Sequence, residues 1–260
     1  MEPNRLYVNG NVLCTGVRQA TSRSEEPVLC LIKGDAITFV ALSGLRMVIS
    51  WKNELPKPAP SSQVFVIPPL IADLLACDAI CAQVGVEFAA RGGNVVARLT
   101  DHLGTYELRW ASDVSTFPAP EAFSQLVQMP EALVEVPHLR FSDAVHQAVA
   151  HLGRMEAEEQ VNPAKLAILI DLDFGRLRVE GEEIVTTASH QFYFDPRLVI
   201  RALEFLKEKV LRVGITPVPL GHRGYLSLVS EQDGWTVHCS LLSIGMETQK
   251  LYPLPPGRNR

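Results

Sequence analysis

The sequence predicts an α+β fold built from two similar halves, and three observations support this. A short aromatic strand runs into a helix at Phe192–Pro196, and the same plan occurs upstream at Phe65–Pro69. The two copies are in register, because their phenylalanines and prolines both lie 127 positions apart (192 − 65 and 196 − 69). Hairpin-linked strands surround each copy, and no Gly-rich phosphate loop joins a strand to a helix. Such a repeat indicates a duplicated domain.

The composition permits a large core and sets limits on the surface. A chain of 260 residues with 47% hydrophobic content can form one large domain or two of ordinary size. The formal net charge of −5 argues against a surface that attracts nucleic acid everywhere, although it allows a local basic face.

The cysteines and the N-terminus predict a soluble, cytoplasmic protein. The cysteines are odd in number and lack framework spacing, which favours reduced thiols. They are Cys14, Cys30, Cys77, Cys81 and Cys239. The first residues do not resemble a signal peptide, and no apolar run reaches the roughly 18 residues that a membrane span needs.

In the first half, periodicity and turn residues predict two helices among hairpin strands. The expected strands lie at residues 28–32, 37–42, 46–51, 86–90, 95–99 and 104–117. The expected helices lie at about 11–24 and 70–84.

The second half repeats this order. A helix at 142–155 is expected, with Ser142 as its cap. Its buried stripe comprises Ala144, Val145, Ala148, Val149 and Leu152. Strands follow at 167–172 and 176–180, then a helix from the second corner to about Arg212, then a hairpin at 224–239. The predicted organisation is therefore a domain at 1–120, a Pro-bounded connector at 121–137 and a domain at 138–260.

Three short motifs stand in an order typical of a known family. Residues 41–47 read Ala-Leu-Ser-Gly-Leu-Arg-Met, the corner reads Phe-x-apolar-Pro, and the first half ends at Phe117-Pro118. These resemble motifs of DNA sliding clamps, the rings that tether replicative polymerases. Bacterial β-type clamps carry Ala-Thr-Asp-Gly-His-Arg-Leu after the second strand of a domain, so Gly44 and Arg46 match that signature loop. Leu45 replaces its histidine, and Leu-Ser replaces Thr-Asp.

The resemblance spans nearly the whole chain and implies both a fold and a function. The implied fold is two tandem DNA-clamp-like domains, each with two helices packed on antiparallel sheets. The implied function is a ring-forming processivity factor that contacts duplex DNA non-specifically, without catalysis or cofactor. Its partners would be a DNA polymerase or other replication and repair proteins. A bacterial β subunit has three such domains and this chain has room for two, so a homo-oligomeric ring of two or three copies is expected.

In a clamp the helices line the hole, and their cations meet phosphates without reading sequence. The resemblance therefore implies DNA contacts from cationic or titratable residues on three helices. They are Arg18, Arg23, His146, His151, Arg154, Arg197, Arg201, Lys207, Lys209 and Arg212.

The sequence also permits an alternative function. The face of the last helix mixes cations with Glu204 and Glu208, so it is equally typical of a solvated face with i,i+4 pairs such as Glu208–Arg212. The predicted second helix carries Asp73 and Asp78 and no Lys or Arg, so it would repel phosphate. A divergent clamp-fold scaffold that binds protein partners without encircling DNA is the alternative function.

The sequence offers no group of residues typical of an active site, so an enzymatic function is not expected. Cys77 and Cys81 lie in an apolar segment, which predicts two buried thiols in preference to a metal site. His146 and His151 are five positions apart and do not share a helical face, so a zinc pair is not expected. Gly221-His222-Arg223-Gly224 is explained by a turn.

Overall fold

A computed structural model describes residues 6–21, 27–43, 47–77, 86–91, 93–100, 105–116, 130, 132–158, 161, 166–173, 176–183, 192–217 and 224–244. The chain divides into two compact units. Unit 1 comprises Met1–Gln128 with Glu231–His238, and unit 2 comprises Met129–Ser230 with Cys239–Arg260. The sequence does not predict that the short segment 231–238 joins unit 1. The bounds of the two domains and of the connector stay predictions.

The described part of unit 1 contains two helices and two antiparallel groups of strands. The strands are β1 (Leu6–Val8), β2 (Val28–Lys33), β3 (Ala36–Ser43), β4 (Met47–Glu54), β5 (Gln63–Ile67), β6 (Val86–Arg91), β7 (Asn94–Thr100) and β8 (Thr105–Ala111). The helices are α1 (Gly10–Thr21) and α2 (Pro69–Leu75), and Val114–Thr116 forms a 3-10 turn. One group of strands has the order β1-β6-β7-β8, and the other has the order β5-β2-β3-β4.

Aromatic side chains join the two groups of strands in the core of unit 1. The ring of Phe65 on β5 stacks on Phe88 of β6 at 5.6 Å and meets Trp110 of β8 edge-on at 6.2 Å. The indole Nε1 of Trp110 donates a 2.8 Å hydrogen bond to the carbonyl oxygen of Val66, so its polar group is satisfied in the interior.

Helix α1 packs on the sheet through its apolar stripe, which includes the fully buried Leu13 and Val17. Gly16 allows the closest approach, because a Cβ there would lie 2.3 Å from the ring of Phe39 and 2.8 Å from Trp235. The rings of Phe39 and Trp235 are 6.1 Å apart. The hairpin tip therefore completes the core of unit 1.

Unit 2 repeats the arrangement with longer helices. Its strands are β9 (Val134–Pro137), β10 (Leu166–Asp173), β11 (Arg176–Glu183), β12 (Phe192–Phe194), β13 (Val210–Pro217), β14 (Gly224–Gln232) and β15 (Trp235–Leu242), the last two contributing their 231–238 portion to unit 1. Its helices are α3 (His138–Glu158) and α4 (Pro196–Phe205). The strand orders are β11-β10-β12 and β15-β14-β13-β9.

The repeated strand-to-helix corner is present in both units. In each, the corner strand pairs antiparallel with the first strand of the neighbouring hairpin: β5 with β2, and β12 with β10. In each, a proline opens the helix, Pro69 in α2 and Pro196 in α4, where a missing N–H costs nothing. The second copy is better capped, because the side chain of Asp195 accepts a 2.9 Å hydrogen bond from the N–H of Arg197.

Helix α3 lies directly on the sheet through Phe141, Val145, Ala148 and Leu152, all buried. A Cβ at Gly181 of β11 would lie 2.5 Å from the carbonyl oxygen of Ala148. Only a residue without a side chain fits between this strand and the helix.

Three predicted helix bounds are wrong. Helix α3 begins at His138 and not at Ser142, since the extended backbone ends at Pro137; Ser142 therefore lies inside the helix and does not cap it. Helix α2 ends at Leu75, well before the predicted Val84; residues 78–85 lie outside the described part of the chain. Helix α4 ends at Phe205 and does not reach Arg212.

Candidate nucleic-acid interface

Helix α3 exposes the three residues that the resemblance assigned to DNA. His146, His151 and Arg154 are all exposed, outside the buried stripe. The ring Nδ1 of His146 lies 2.7 Å from the carbonyl oxygen of Ser142, one turn earlier, so one nitrogen of this ring is occupied by its own helix. Arg154 is the residue of this set that carries a permanent charge.

Helix α4 presents Arg197 and Arg201 to solvent, one turn apart on the same face. The opposite face is buried through Val199, Ala202 and Leu203. Helices α3 and α4 pack against each other, so the exposed arginines belong to two adjacent helices of one unit.

The assignment of Lys207, Lys209 and Arg212 to a helix is wrong. The backbone becomes extended at Leu206 (φ −99°, ψ 102°), the two lysines lie in the connection that follows, and Arg212 lies on β13. The reason is pairing: residues 210–217 alternate in the pattern of a strand and bond to β9 and β14, which outweighs the helical spacing of the charges. The i,i+4 pair Glu208–Arg212 therefore does not exist as a helical pair.

Arg18 has a structural partner. It is exposed on α1, and its guanidinium donates a 2.6 Å hydrogen bond to the carbonyl oxygen of Ala76, the C-cap residue of α2. Part of its hydrogen-bonding capacity therefore serves the helix end and not a phosphate. Arg23, Gly44 and Arg46 lie outside the described residues, so the helix end and the signature loop stay predictions.

Helix α2 presents a surface of a different kind. Leu70 is 73% exposed and Leu74 is 46% exposed, one turn apart, and Asp73 is exposed between them. No cation lies on this helix. Two leucines and a carboxylate offer nothing to a phosphate backbone, which agrees with the expectation from the sequence.

The arginines of the sheets and of the helices differ in their partners. On the β1-β6-β7-β8 sheet, Arg98 lies between Glu87 and Glu107 and bonds to Glu107 at 2.6 Å. Arg109 binds the same carboxylate, and its hydrogen bonds, followed by those of Arg98, hold the pKa of Glu107 below its ordinary value. These cations are neutralised within the sheet.

The arginines on α3 and α4 are not neutralised in this way. Among the residues that the structure describes, Arg154, Arg197 and Arg201 form no ion pair, whereas Arg98, Arg109 and Arg178 all do. An unpaired cation keeps its full attraction for an external anion. In unit 2, positive charge is therefore available to a ligand on α3 and α4, and also at the exposed Lys207 and Lys209 that follow α4.

The described residues show no cluster of three or more His, Cys, Asp and Glu side chains that could hold a metal ion. Cys77 is exposed, so the prediction that it is buried is wrong; Cys81 lies outside the described part. Cys14 is buried and directs its thiol to the carbonyl oxygens of Ala76 and Cys77 at 3.4 and 3.6 Å. No helix in the described ranges is long and apolar enough to cross a membrane.

Sequence reasoning overlooked Arg140. It is exposed in the first turn of α3 and forms no ion pair with a described residue. Pro137 is the signal that would have included Arg140, because proline is common at the start of a helix and seldom lies inside one.

Comparison with solved structures identifies the fold. The chain is similar to the DNA polymerase III beta subunit of Thermotoga maritima (TM-score 0.57, 10% identity, 95% of this chain and 66% of that one). It is also similar to the DNA polymerase sliding clamp of Bacillus subtilis (0.54, 14%, 94% and 65%). A third example is the DNA polymerase III subunit beta of Pseudomonas aeruginosa (0.55, 11%, 93% and 66%).

The chain thus has the fold of bacterial DNA sliding clamps, as the motifs predicted. It spans about two thirds of the length of each of these clamp chains. No protein-family model matches the sequence, and no curated protein matches it. At 10–14% identity the likeness establishes the fold alone.

Proposed function

We propose that this chain is a sliding-clamp-like, DNA-associated protein that contacts duplex DNA non-specifically and assembles into a ring, without catalysing a reaction. One observation carries the proposal within this fold. Arg154, Arg197 and Arg201 are exposed on two adjacent helices and have no carboxylate partner among the described residues. The solved proteins of this fold are named as sliding clamps and subunits of DNA polymerase III, which supports the same reading.

The physical basis is release of counterions. Three arginines that each neutralise one phosphate predict a slope of about −2.7 in a plot of log affinity against log salt concentration. Affinity should then fall about fortyfold between about 50 and 200 mM salt. Base sequence should have little effect, because phosphate contacts carry no sequence information.

Fluorescence anisotropy of a labelled duplex, titrated with the full chain over a salt series, tests this proposal. A steep, sequence-independent salt dependence supports it. Absence of duplex affinity even at low salt would overturn the DNA reading.

Assembly into a ring is tested separately by the mass in solution. The chain has a mass of 28.7 kDa, so two copies give about 57 kDa and three about 86 kDa (2 × 28.7 and 3 × 28.7). A monomer that persists at high protein concentration contradicts the ring. It leaves the phosphate contacts of α3 and α4 to be judged by the salt series.

The second candidate is a clamp-fold scaffold that binds proteins and not DNA. The exposed face of α2 favours it, because Leu70 and Leu74 are apolar and Asp73 is negative. The two candidates differ in one measurement: a scaffold shows no salt-dependent duplex binding, whereas a clamp shows the slope given above.

A further inference from the structure

A small apolar surface with a cationic border lies in unit 2, and two of its bordering cations, Lys207 and Lys209, are among the residues that the resemblance assigned to DNA. Its apolar members are Pro137, Leu139 and Val210, all exposed. Leu139 is 76% exposed and Val210 is 49% exposed. We call these three residues the Leu139 patch.

The backbone brings the three members of the patch together. Pro137 of β9 and Val210 of β13 are direct partners across the antiparallel pair, so their side chains leave the sheet on the same face. The N–H of His138 donates a 2.8 Å hydrogen bond to the carbonyl oxygen of Lys209. Residues 137–138 and 209–210 therefore run side by side, and Leu139 follows directly in the first turn of α3.

Three cations border the patch. Arg140 follows Leu139, and Lys207 and Lys209 precede Val210; all three are exposed and form no ion pair with any described residue. Glu208 lies between the lysines and Asp143 lies one helical turn after Leu139, so three cations and two carboxylates leave a net charge of +1. The next pair along the strands, Glu135 and Arg212, is balanced.

We propose that the Leu139 patch binds a short acidic segment of another protein, with an aliphatic side chain on Leu139 and Val210 and carboxylates facing Lys207, Lys209 and Arg140. Charge complementarity selects an acidic partner. Size selects a segment and not a second copy of the chain, because three apolar side chains fall far short of the roughly 800 Å² that each partner buries in a stable protein interface. A basic segment would leave the cations without an ionic partner. A duplex, which requires only phosphate contacts, would leave the apolar side chains uncovered.

A labelled peptide and matched variants test this proposal. The probe is a short fluorescein-labelled peptide with Val-Leu at its centre and Asp or Glu on both sides. Two control peptides replace either the acidic residues by lysines or the central pair by serines. The acidic aliphatic peptide should bind the full chain at least about tenfold more tightly than either control.

Variants of the protein locate the site. Leu139→Ser and the double variant Lys207→Ala/Lys209→Ala should each weaken the peptide about tenfold. Val64→Ser is the control, because Val64 is also an exposed aliphatic residue but lies on β5 of unit 1. It should bind the peptide as the unchanged protein does, and all three variants should keep their melting temperature because the side chains are exposed.

Four results would overturn the proposal. Equal binding of acidic and basic peptides, or no effect of Leu139→Ser, would remove the patch as the site. A drop in oligomeric mass in Leu139→Ser would assign the patch to contacts between copies. A loss of duplex affinity in Lys207→Ala/Lys209→Ala with the peptide affinity retained would assign the lysines to DNA. The proposal goes beyond the proposed function, and DNA binding through Arg197 and Arg201 can fail while peptide binding stands.

Discussion

The guanidinium of Arg18 on α1 binds the carbonyl oxygen of Ala76 at the end of α2, with an N–O distance of 2.6 Å. The last carbonyl groups of a helix have no partner within it, so a neighbouring donor completes them. Cys14, one turn before Arg18, approaches the same oxygen at 3.4 Å. A residue that the resemblance assigned to DNA therefore joins the two helices of unit 1.

Arg18→Ala should lower the free energy of unfolding by about 1–2 kcal/mol, because it removes a charge-assisted hydrogen bond at a helix end. Urea denaturation measures this. Duplex affinity should change less than in Arg197→Ala, since the Arg18 guanidinium is already engaged. Lys52→Ala, which removes an exposed cation of β4, is the control for charge. Unchanged stability with a large loss of duplex affinity would show that the residue serves DNA.

Gly181→Ala and Gly153→Ala should act in opposite directions. A Cβ at Gly181 meets the carbonyl oxygen of Ala148 at 2.5 Å, so the substitution should destabilise by about 1–3 kcal/mol. A Cβ at Gly153, in the middle of α3, meets nothing within 4 Å and should stabilise the helix by about 0.5–1 kcal/mol. Thermal or urea denaturation of both variants tests the packing of α3 on β11. A neutral Gly181→Ala would contradict it.

Arg197→Ala/Arg201→Ala should weaken binding to every duplex sequence and make the salt slope shallower by about 2, one for each lost phosphate contact. Stability should hardly change, since both side chains are exposed and form no ion pair with a described residue. The matched control is Lys52→Ala/Lys57→Ala, which removes two exposed cations of unit 1. An equal loss of slope in the control would mean that binding follows net charge and not these helices.

Glu107 should contribute to the loss of stability in acid. Hydrogen bonds from Arg109 and Arg98 lower its pKa below the ordinary value of 4.5. The contribution of Glu107 to the free energy of unfolding is therefore present above pH 4.5 and is lost as the pH falls through the lower pKa of the folded state. Urea midpoints of Glu107→Gln should fall less between neutral and acid pH than those of the unchanged protein. Glu54→Gln removes an exposed carboxylate and is the control. Its urea midpoint should fall by as much as that of the unchanged protein.

Cys77 should react with a thiol reagent in the folded protein, whereas Cys14, Cys30 and Cys239 should react only on unfolding. The last three are buried, and burial raises the pKa of the Cys30 thiol strongly, so its thiolate is scarce at neutral pH. Peptide mapping after brief labelling reads out each thiol separately. Rapid labelling of Cys30 would contradict the packing of β2.

The repeat is the part of the fold that sequence reasoning recovered best. A strand that ends at a proline and leads into a helix with one apolar face is a local pattern. Such a pattern can be predicted from the sequence when the backbone hydrogen bonds form between residues that are close together in the chain. Pro69 and Pro196 open their helices as expected. The hairpin turn at Asp233-Gly234 is similar, because both residues adopt positive φ, of 50° and 80°.

Predictions were less successful where one segment fits both the helical period of 3.6 residues and the strand period of two. Glu204, Glu208 and Arg212 lie at helical spacing, whereas Leu211, Val213 and Ile215 lie at strand spacing. Pairing with β9 and β14 placed the segment from Val210 onward in a strand. The candidate site changed accordingly: Arg154, Arg197 and Arg201 stay exposed on helices, whereas Lys207 and Lys209 lie in the connection between α4 and β13.

The amino-acid sequence by itself determined the α+β class, the duplicated corner and the set of helices that carry arginine, because each depends on neighbours along the chain. Tertiary structure alone decided which cations remain available. Arg98 is neutralised by Glu107 on the adjacent strand, Arg109 pairs with the same glutamate on its own strand, and Arg18 binds a helix end. Arg197 and Arg201 form no ion pair within the described chain. The physical reason is that a charge is neutralised by what lies within about 4 Å of it in space, and sequence spacing does not report that distance.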